Sequence, residues 1–226
     1  MSLLEVAISA LAPPECLICS SEGAVLCPTC AATAVMPFGE RCWRCQALSQ
    51  NGRTCVHCRS FGGPRHVWLV TNYEAAAAEL VRAFKFGQLR VAADSLARLM
   101  IETLSNFDYP ADYLIVAVPT ATSRARRRGF DQGQLLARQI ARKLNLPYSP
   151  ALARLGQSRQ VGATRAERLT QSAGSYRLRL PKAVAGQNIL LIDDVITTGA
   201  TLREAARTLR AGGARRVDAL VFAKRQ

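Results

Sequence analysis

The stretch from Asn188 to Arg210 constrains the fold more than any other part of this 226-residue chain. Asn188-Ile189-Leu190-Leu191-Ile192 is a short, partly β-branched apolar run, the pattern of a strand buried on both faces. Asp193-Asp194 and Val195-Ile196 follow, then the small hydroxylated turn Thr197-Thr198-Gly199-Ala200-Thr201. From there Leu202, Ala205, Ala206 and Leu209 recur at i, i+3, i+4 and i+7, which predicts an amphipathic helix. Strand, acidic pair, Thr/Gly turn and helix together suit a phosphorylated sugar. First-turn amides of a helix lack partners and carry partial positive charge, so with the turn hydroxyls they attract a phosphate. Carboxylates cannot bind that phosphate, but they suit vicinal ribose hydroxyls or a Mg²⁺ held through water and pyrophosphate.

Other phosphate motifs are excluded. The chain holds no Gly-Lys-Ser/Thr of a Walker A loop and no G-x-G-x-x-G. The segment Leu190–Thr201 instead resembles the phosphoribosyl-pyrophosphate (PRPP) motif of type I phosphoribosyltransferases. That resemblance implies that Asp193 and Asp194 contact the ribose hydroxyls, while Thr197, Thr198, Gly199, Ala200 and Thr201 wrap the 5′-phosphate.

The other strong signal is cysteine. Eight cysteines form four C-x-x-C pairs: Cys16/Cys19, Cys27/Cys30, Cys42/Cys45 and Cys55/Cys58. Each pair is the knuckle that lets two thiolates reach one tetrahedral ion, so four pairs predict two structural zinc sites. Short gaps within the first two and the last two pairs favour sequential pairing; an interleaved arrangement stays sterically open. Residues 1–11 lack a basic start and a long apolar run, so no signal peptide or membrane-spanning helix is placed there. A reducing, cytoplasmic location is therefore expected, in which paired thiols mean zinc rather than disulfides.

Along the chain, residues 3–12 pattern as a short helix stopped by Pro13-Pro14, and Gly62-Gly63-Pro64 marks a boundary. The division is 1–63, a double zinc ribbon, and 64–226, an α/β domain with a doubly wound, mostly parallel sheet. Strands are expected at 67–72, 113–118, 147–153, 176–180, 188–192 and 217–223. Helices are expected at 75–86, around 96–104, at 132–144 and after Thr201. Lys85, between aromatics, can snorkel toward a ligand, or sit solvated at a helix C-terminus. After the strand ending at Pro119 comes Thr120-Ala121-Thr122-Ser123-Arg124-Ala125-Arg126-Arg127-Arg128. This loop leaves the carboxyl end of a strand, where such sheets bind ligands. Its hydroxyls and guanidinium forks suit a pyrophosphate, which makes Lys85, Thr120, Ala121, Arg124, Arg126 and Arg128 the pyrophosphate-side candidates.

Net charge is +14. Residues 124–182 concentrate it, with 14 basic side chains against Asp131 and Glu167. That excess suits a polyanion such as a pyrophosphate, a nucleotide or a nucleic-acid backbone. The polar stretch from Arg154 to Ser175 lacks apolar periodicity; Arg159, Arg165 and Arg168 are its nucleic-acid candidates.

Taken in order, the chain resembles the ComF family, whose members include ComFC and GntX-like proteins. The likeness rests on Pro13-Pro14-Glu15-Cys16-Leu17-Ile18-Cys19, Phe84-Lys85-Phe86, Val118-Pro119 with Arg124-Ala125-Arg126-Arg127-Arg128-Gly129-Phe130-Asp131-Gln132, and Leu191-Ile192-Asp193-Asp194-Val195-Ile196-Thr197-Thr198-Gly199. Asp131 stands where the family's R-G-F-N-Q has Asn: it weakens pyrophosphate binding if it faces the ligand, and changes nothing if it only caps the helix. The resemblance implies a type I phosphoribosyltransferase fold, PRPP or nucleotide binding with Mg²⁺, a part in single-stranded DNA uptake and a competence helicase as partner, without membrane insertion. Two readings of function follow. One is a binding module that uses PRPP as a ligand while its basic face engages single-stranded DNA. The other is an active phosphoribosyltransferase that passes ribose 5-phosphate from PRPP to a nitrogen acceptor.

Overall fold

The computed structural model describes residues 13–86, 89–120, 131–155 and 175–225, the side chains of 89 and 90 excepted. The helix expected at 3–12 lies outside them. Four strands form a parallel sheet: β1 (Val67–Asn72), β2 (Tyr113–Ala117), β5 (Asn188–Ile196) and β6 (Arg216–Lys224), in the order β1-β6-β5-β2. β3 (Leu152–Arg154) and β4 (Tyr176–Leu178) pair antiparallel as a separate ribbon. The strand expected at 147–153 is thus mostly absent; Tyr148 makes only an isolated bridge to Ile115, and pairing proper starts at Leu152. Proline at 147 and 150 removes the amide donors a longer ladder needs. β5 runs further than its apolar run suggested and carries Asp193 and Asp194 inside the strand.

Alternation along the strands sorts the core into two faces. Trp68 and Val70 of β1 and Leu190 and Ile192 of β5 share one cluster with α3 (Ala75–Phe86), α4 (Leu89–Leu104) and α5 (Gln132–Leu144). Val67 and Leu69, with Ile189 and Leu191, share the other with α7 (Ala200–Ala211), while α6 (Pro181–Val184) leads into β5. Helices on both faces of a parallel sheet are the doubly wound arrangement.

The cysteine-rich segment straddles the β1 edge of this sheet. Cys16, Val25, Leu26 and Cys30 pack with the first face, Phe38, Cys42, Trp43 and Cys58 with the second. Between them the chain crosses the edge itself: Phe38 donates to the Val70 carbonyl at 2.9 Å, and Pro37 bridges Thr71. An exposed edge strand is a template for aggregation, and this crossing covers it.

At the amino ends of the strands lies a buried polar knot around Asp218, which has no exposed surface. Its carboxylate accepts from the His66 amide at 2.9 Å and from the Tyr113 hydroxyl and Arg216 Nε, with His66 Nδ1 3.1 Å away. Burial raises its pKa, but His66, Tyr113 and Arg216 outweigh that and hold the carboxyl below its usual range. Burial, then the charge of Asp218, pushes the Tyr113 phenol well above its ordinary value. Among the described residues no helix is long and apolar enough to cross a membrane.

Candidate metal centres and phosphate loop

The two cysteine units are built alike. In the first, Cys16 donates to the Ser21 carbonyl at 2.8 Å and Ser20, at φ 56°, donates back to Cys16 at 2.9 Å. In the second, Cys42 donates to Ala47 at 2.8 Å and Gln46, at φ 63°, donates back to Cys42 at 2.8 Å. The remaining pair of each unit begins a short helix, α1 (Pro28–Ala34) after Cys27 and α2 (Val56–Arg59) after Cys55. The result is sequential pairing. Cys16, Cys19, Cys27 and Cys30 converge, as do Cys42, Cys45, Cys55 and Cys58, with all ligand atoms of each set within 4.8 Å of one another. Cys19 and Cys27 sulfurs lie 3.8 Å apart, Cys45 and Cys55 sulfurs 3.5 Å. A tetrahedron with Zn–S bonds of about 2.3 Å has edges of about 3.8 Å, so both sets fit zinc.

The electrostatics suit a divalent cation. At Cys16 burial raises the pKa, but amides of Cys27, Cys19 and Ile18 outweigh it and draw the thiol down to about 6. Cys30 is pushed up to about 12 by the Cys19 and Cys27 sulfurs. In the second set, burial is outweighed by the Cys45, Cys55 and Arg44 amides, and Cys42 falls to about 7. Cys58 rises to about 12 through burial and then through Cys45 and Cys55. Four thiols so close cannot all ionise unaided, whereas a divalent ion stabilises all four thiolates.

The candidate ligand site lies at the carboxyl end of β5. Asp194 Oδ2 sits 3.0 Å from Lys85 Nζ, which reaches over from the end of α3. The Asp194 amide donates to Asp193 Oδ1 at 2.9 Å. Burial, then the neighbouring Asp194 charge, raises the Asp193 carboxyl well above its ordinary value despite that amide and Lys85. β2 lies alongside in register, Ala117 opposite Ile192, and the Val118 amide donates to the Ile192 carbonyl at 2.9 Å. Thr197, Thr198 and Thr201 are exposed, and α7 begins at Gly199 (φ 75°) without a side-chain N-cap from that residue. The Ala200 amide donates to Thr198 Oγ1 at 3.4 Å, so this turn caps the helix start with a side chain while its three threonines stay exposed, the arrangement of donors an anion can use.

Asp131 is half-buried. Its Oδ1 accepts from the Gln134 amide at 3.2 Å, capping α5, and the carboxylate also accepts from the Thr120 amide and hydroxyl, each at 3.3 Å. It therefore caps the helix and ties Thr120 to the helix start. Gln132 Nε2 donates to the Phe84 carbonyl at 3.1 Å, joining the same helix end to the turn that carries Lys85. Ala121, Arg124, Arg126 and Arg128, and likewise Arg159, Arg165 and Arg168, lie outside the described residues.

Two buried aromatics were not placed by spacing or motif. Trp43, inside the third C-x-x-C knuckle and only 1% exposed, packs under the 197–201 turn at Gly199. A Cβ on Gly199 would stand 2.2 Å from its ring, and one on Gly63 would stand 3.1 Å from it. The indole thus occupies a slot that two glycines leave open, and its Nε1 donates to Thr54 Oγ1 at 3.0 Å. Tyr176 is buried, its hydroxyl without a hydrogen-bond partner among the described residues, and burial pushes its phenol up to about 12. A large aromatic in a metal knuckle was the available clue to the first; the second stood out in the sequence only as one of three aromatics, with Phe130 and Tyr148, in the basic segment.

A parallel, doubly wound sheet whose central strand ends in an acidic pair and a Thr-Thr-Gly turn defines a type I phosphoribosyltransferase fold, and residues 131–226 match the phosphoribosyl transferase domain family. With two four-cysteine units ahead of that domain, the chain is similar along most of its length to proteins of the ComF kind. It is 29% identical over 212 residues to DNA utilization protein YhgH of Salmonella typhi, covering 90% of this chain and 87% of that one. Competence protein ComFC of Bacillus subtilis is 27% identical over 219 residues, covering 86% and 88% respectively. Among solved structures, a B. subtilis glutamine phosphoribosylpyrophosphate amidotransferase aligns with 62% of this chain and 30% of its own, at 18% identity and a TM-score of 0.44.

Proposed function

We propose that this protein binds PRPP with Mg²⁺ on the 193–201 loop and acts in DNA utilisation or competence, with single-stranded DNA as its macromolecular substrate. The carrying observation is the acidic pair on β5 beside an anion-ready helix start: carboxylate acceptors for a ribose next to amide and hydroxyl donors for its phosphate. Asp193 and Asp194 would accept from the ribose hydroxyls, and Thr197 to Thr201 would hold the 5′-phosphate. Mg²⁺, when bound, supplies charge neutralisation for the pyrophosphate. Ligand binding would draw Lys85 from Asp194 toward the pyrophosphate. The DNA role is supported by the names of the relatives and by the basic excess; a competence helicase is the partner that the family resemblance suggests. The two four-cysteine units would hold structural zinc.

The test is calorimetric titration with Mg²⁺–PRPP. Asp193→Ala and Asp194→Ala should each weaken binding by about 1–3 kcal/mol, the range for hydrogen bonds to charged groups. Asp193→Asn should also raise the melting temperature of the free protein. The carboxyl's raised pKa means that the fold disfavours its charge, so stability declines as pH climbs from about 3.8 toward the raised value and the penalty is complete above it. Affinity should fall as pH drops back through that raised value. Unchanged affinity in the double Ala variant would move the site elsewhere. A screen of nitrogenous bases for pyrophosphate release distinguishes ligand binding alone from transferase turnover.

Purified protein should carry about two zinc ions per chain by elemental analysis. A metal-free chain with its C-x-x-C pairs oxidised to disulfides would overturn the structural-zinc assignment.

A further inference from the structure

A second basic feature lies away from the phosphate loop. A cleft of about 270 Å³ is lined by Arg53, Arg59, Gly63, Pro64, Arg65 and Arg210, with no carboxylate among the described lining residues. Three chain segments build it. The Thr54 amide donates to the Arg65 carbonyl at 2.9 Å, and the Arg65 amide donates to Val217 at 2.9 Å, so Arg65 ties the second cysteine unit to β6. Arg210 donates to the carbonyls of Gly62, at 2.9 Å, and Gly63, and Arg59 Nε donates to the Thr54 carbonyl at 3.4 Å. These carbonyls orient two guanidinium groups without cancelling their charge. The side chains of Arg53 and Arg65 are exposed and have no ion-pair partner among the described residues.

Nearby charges do not account for the cluster. Asp218 acts on Arg210, but its oxygens are taken by His66, Tyr113 and Arg216. Four like charges around one cleft repel, and a bound anion relieves that repulsion. Guanidinium forks match the paired oxygens of a phosphate.

We propose that this cleft is a second anion site that takes phosphate groups, either of a nucleic-acid backbone or of free phosphate. Arg210 sits at the far end of α7 from Gly199, about 16 Å along a helix rising 1.5 Å per residue, and where the cleft comes nearest to the 197–201 turn, at Gly63, the Trp43 ring stands between them. The assignment does not depend on PRPP binding.

The experiment compares the full-length protein with Arg53→Ala/Arg65→Ala. A labelled oligothymidylate is titrated by anisotropy over a range of salt, and inorganic phosphate by calorimetry. If a nucleic-acid backbone is the ligand, the double variant flattens the log–log salt slope by about 1.4, two phosphates at about 0.7 each. If free phosphate is the ligand, one binding event disappears from the phosphate titration and the oligonucleotide slope stays. Arg53→Lys/Arg65→Lys keeps the charge and should preserve the slope, which separates lost charge from a damaged fold. Both titrations unchanged in the double Ala variant would overturn the proposal.

Discussion

Gly199→Ala is expected to cripple the phosphate loop. Gly199 occupies the left-handed region, where a Cβ costs roughly 1–2 kcal/mol. The same Cβ would stand 2.2 Å from the Trp43 ring, a contact that demands movement. Trp43 cannot yield freely, because its Nε1 is held by Thr54 and its ring also abuts Gly63. Overpacking of this kind adds about 1–3 kcal/mol. If the loop absorbs the whole strain, about 2–5 kcal/mol, Mg²⁺–PRPP affinity should drop by roughly thirty-fold to a few thousand-fold, at about 1.4 kcal/mol per decade. Trp43→Ala should be damaging for the opposite reason, since an empty slot beneath the loop costs about 3–5 kcal/mol of stability. The informative variant is the combination: truncating the indole gives the new methyl room, so the two losses should fall short of additive by more than about 0.5 kcal/mol. Calorimetry and thermal melting on the four proteins measure this. Strict additivity would mean that the second cysteine unit does not shape the loop.

Asp218→Ala should produce the largest loss of stability away from the ligand site. It removes a fully buried carboxylate and strands the His66 amide, the Tyr113 hydroxyl and the Arg216 guanidinium. Breaking one partner out of such a knot costs about 3–5 kcal/mol. At about 2–4 °C per kcal/mol for a chain of this size, the melting temperature should fall by roughly 6–20 °C. The sign of its pH dependence follows from the lowered carboxyl. A group whose folded pKa lies below its unfolded value stabilises fully above about 3.8, and that stabilisation is lost as pH falls through the folded value. The difference in melting temperature between the native protein and Asp218→Asn should therefore be constant from neutral pH down to about 4 and shrink below it. A difference that grows with acid would show that the carboxylate is not what the knot needs.

Much of this molecule can be read from local spacing. The C-x-x-C pairs specify ligand chemistry, because two residues between cysteines put both sulfurs on one turn. Apolar runs and 3.6-residue periodicity locate β1, α3, α5 and the strand–turn–helix of 188–211, because those patterns report which backbone geometry buries the apolar atoms. Tertiary structure decided the rest. It chose sequential over interleaved cysteine pairing, set Asp131 as a helix cap bound to Thr120, and paired Lys85 with Asp194. It also laid the two cysteine units on opposite faces of one sheet edge, seated Trp43 beneath Gly199, and gathered four arginines from three segments into one cleft. The physical reason is the range of the contact. Periodicity and spacing record what a residue does to its own turn or strand. Packing between positions far apart along the chain depends on which sheet face and which edge each segment covers, and that is set only when the whole core closes.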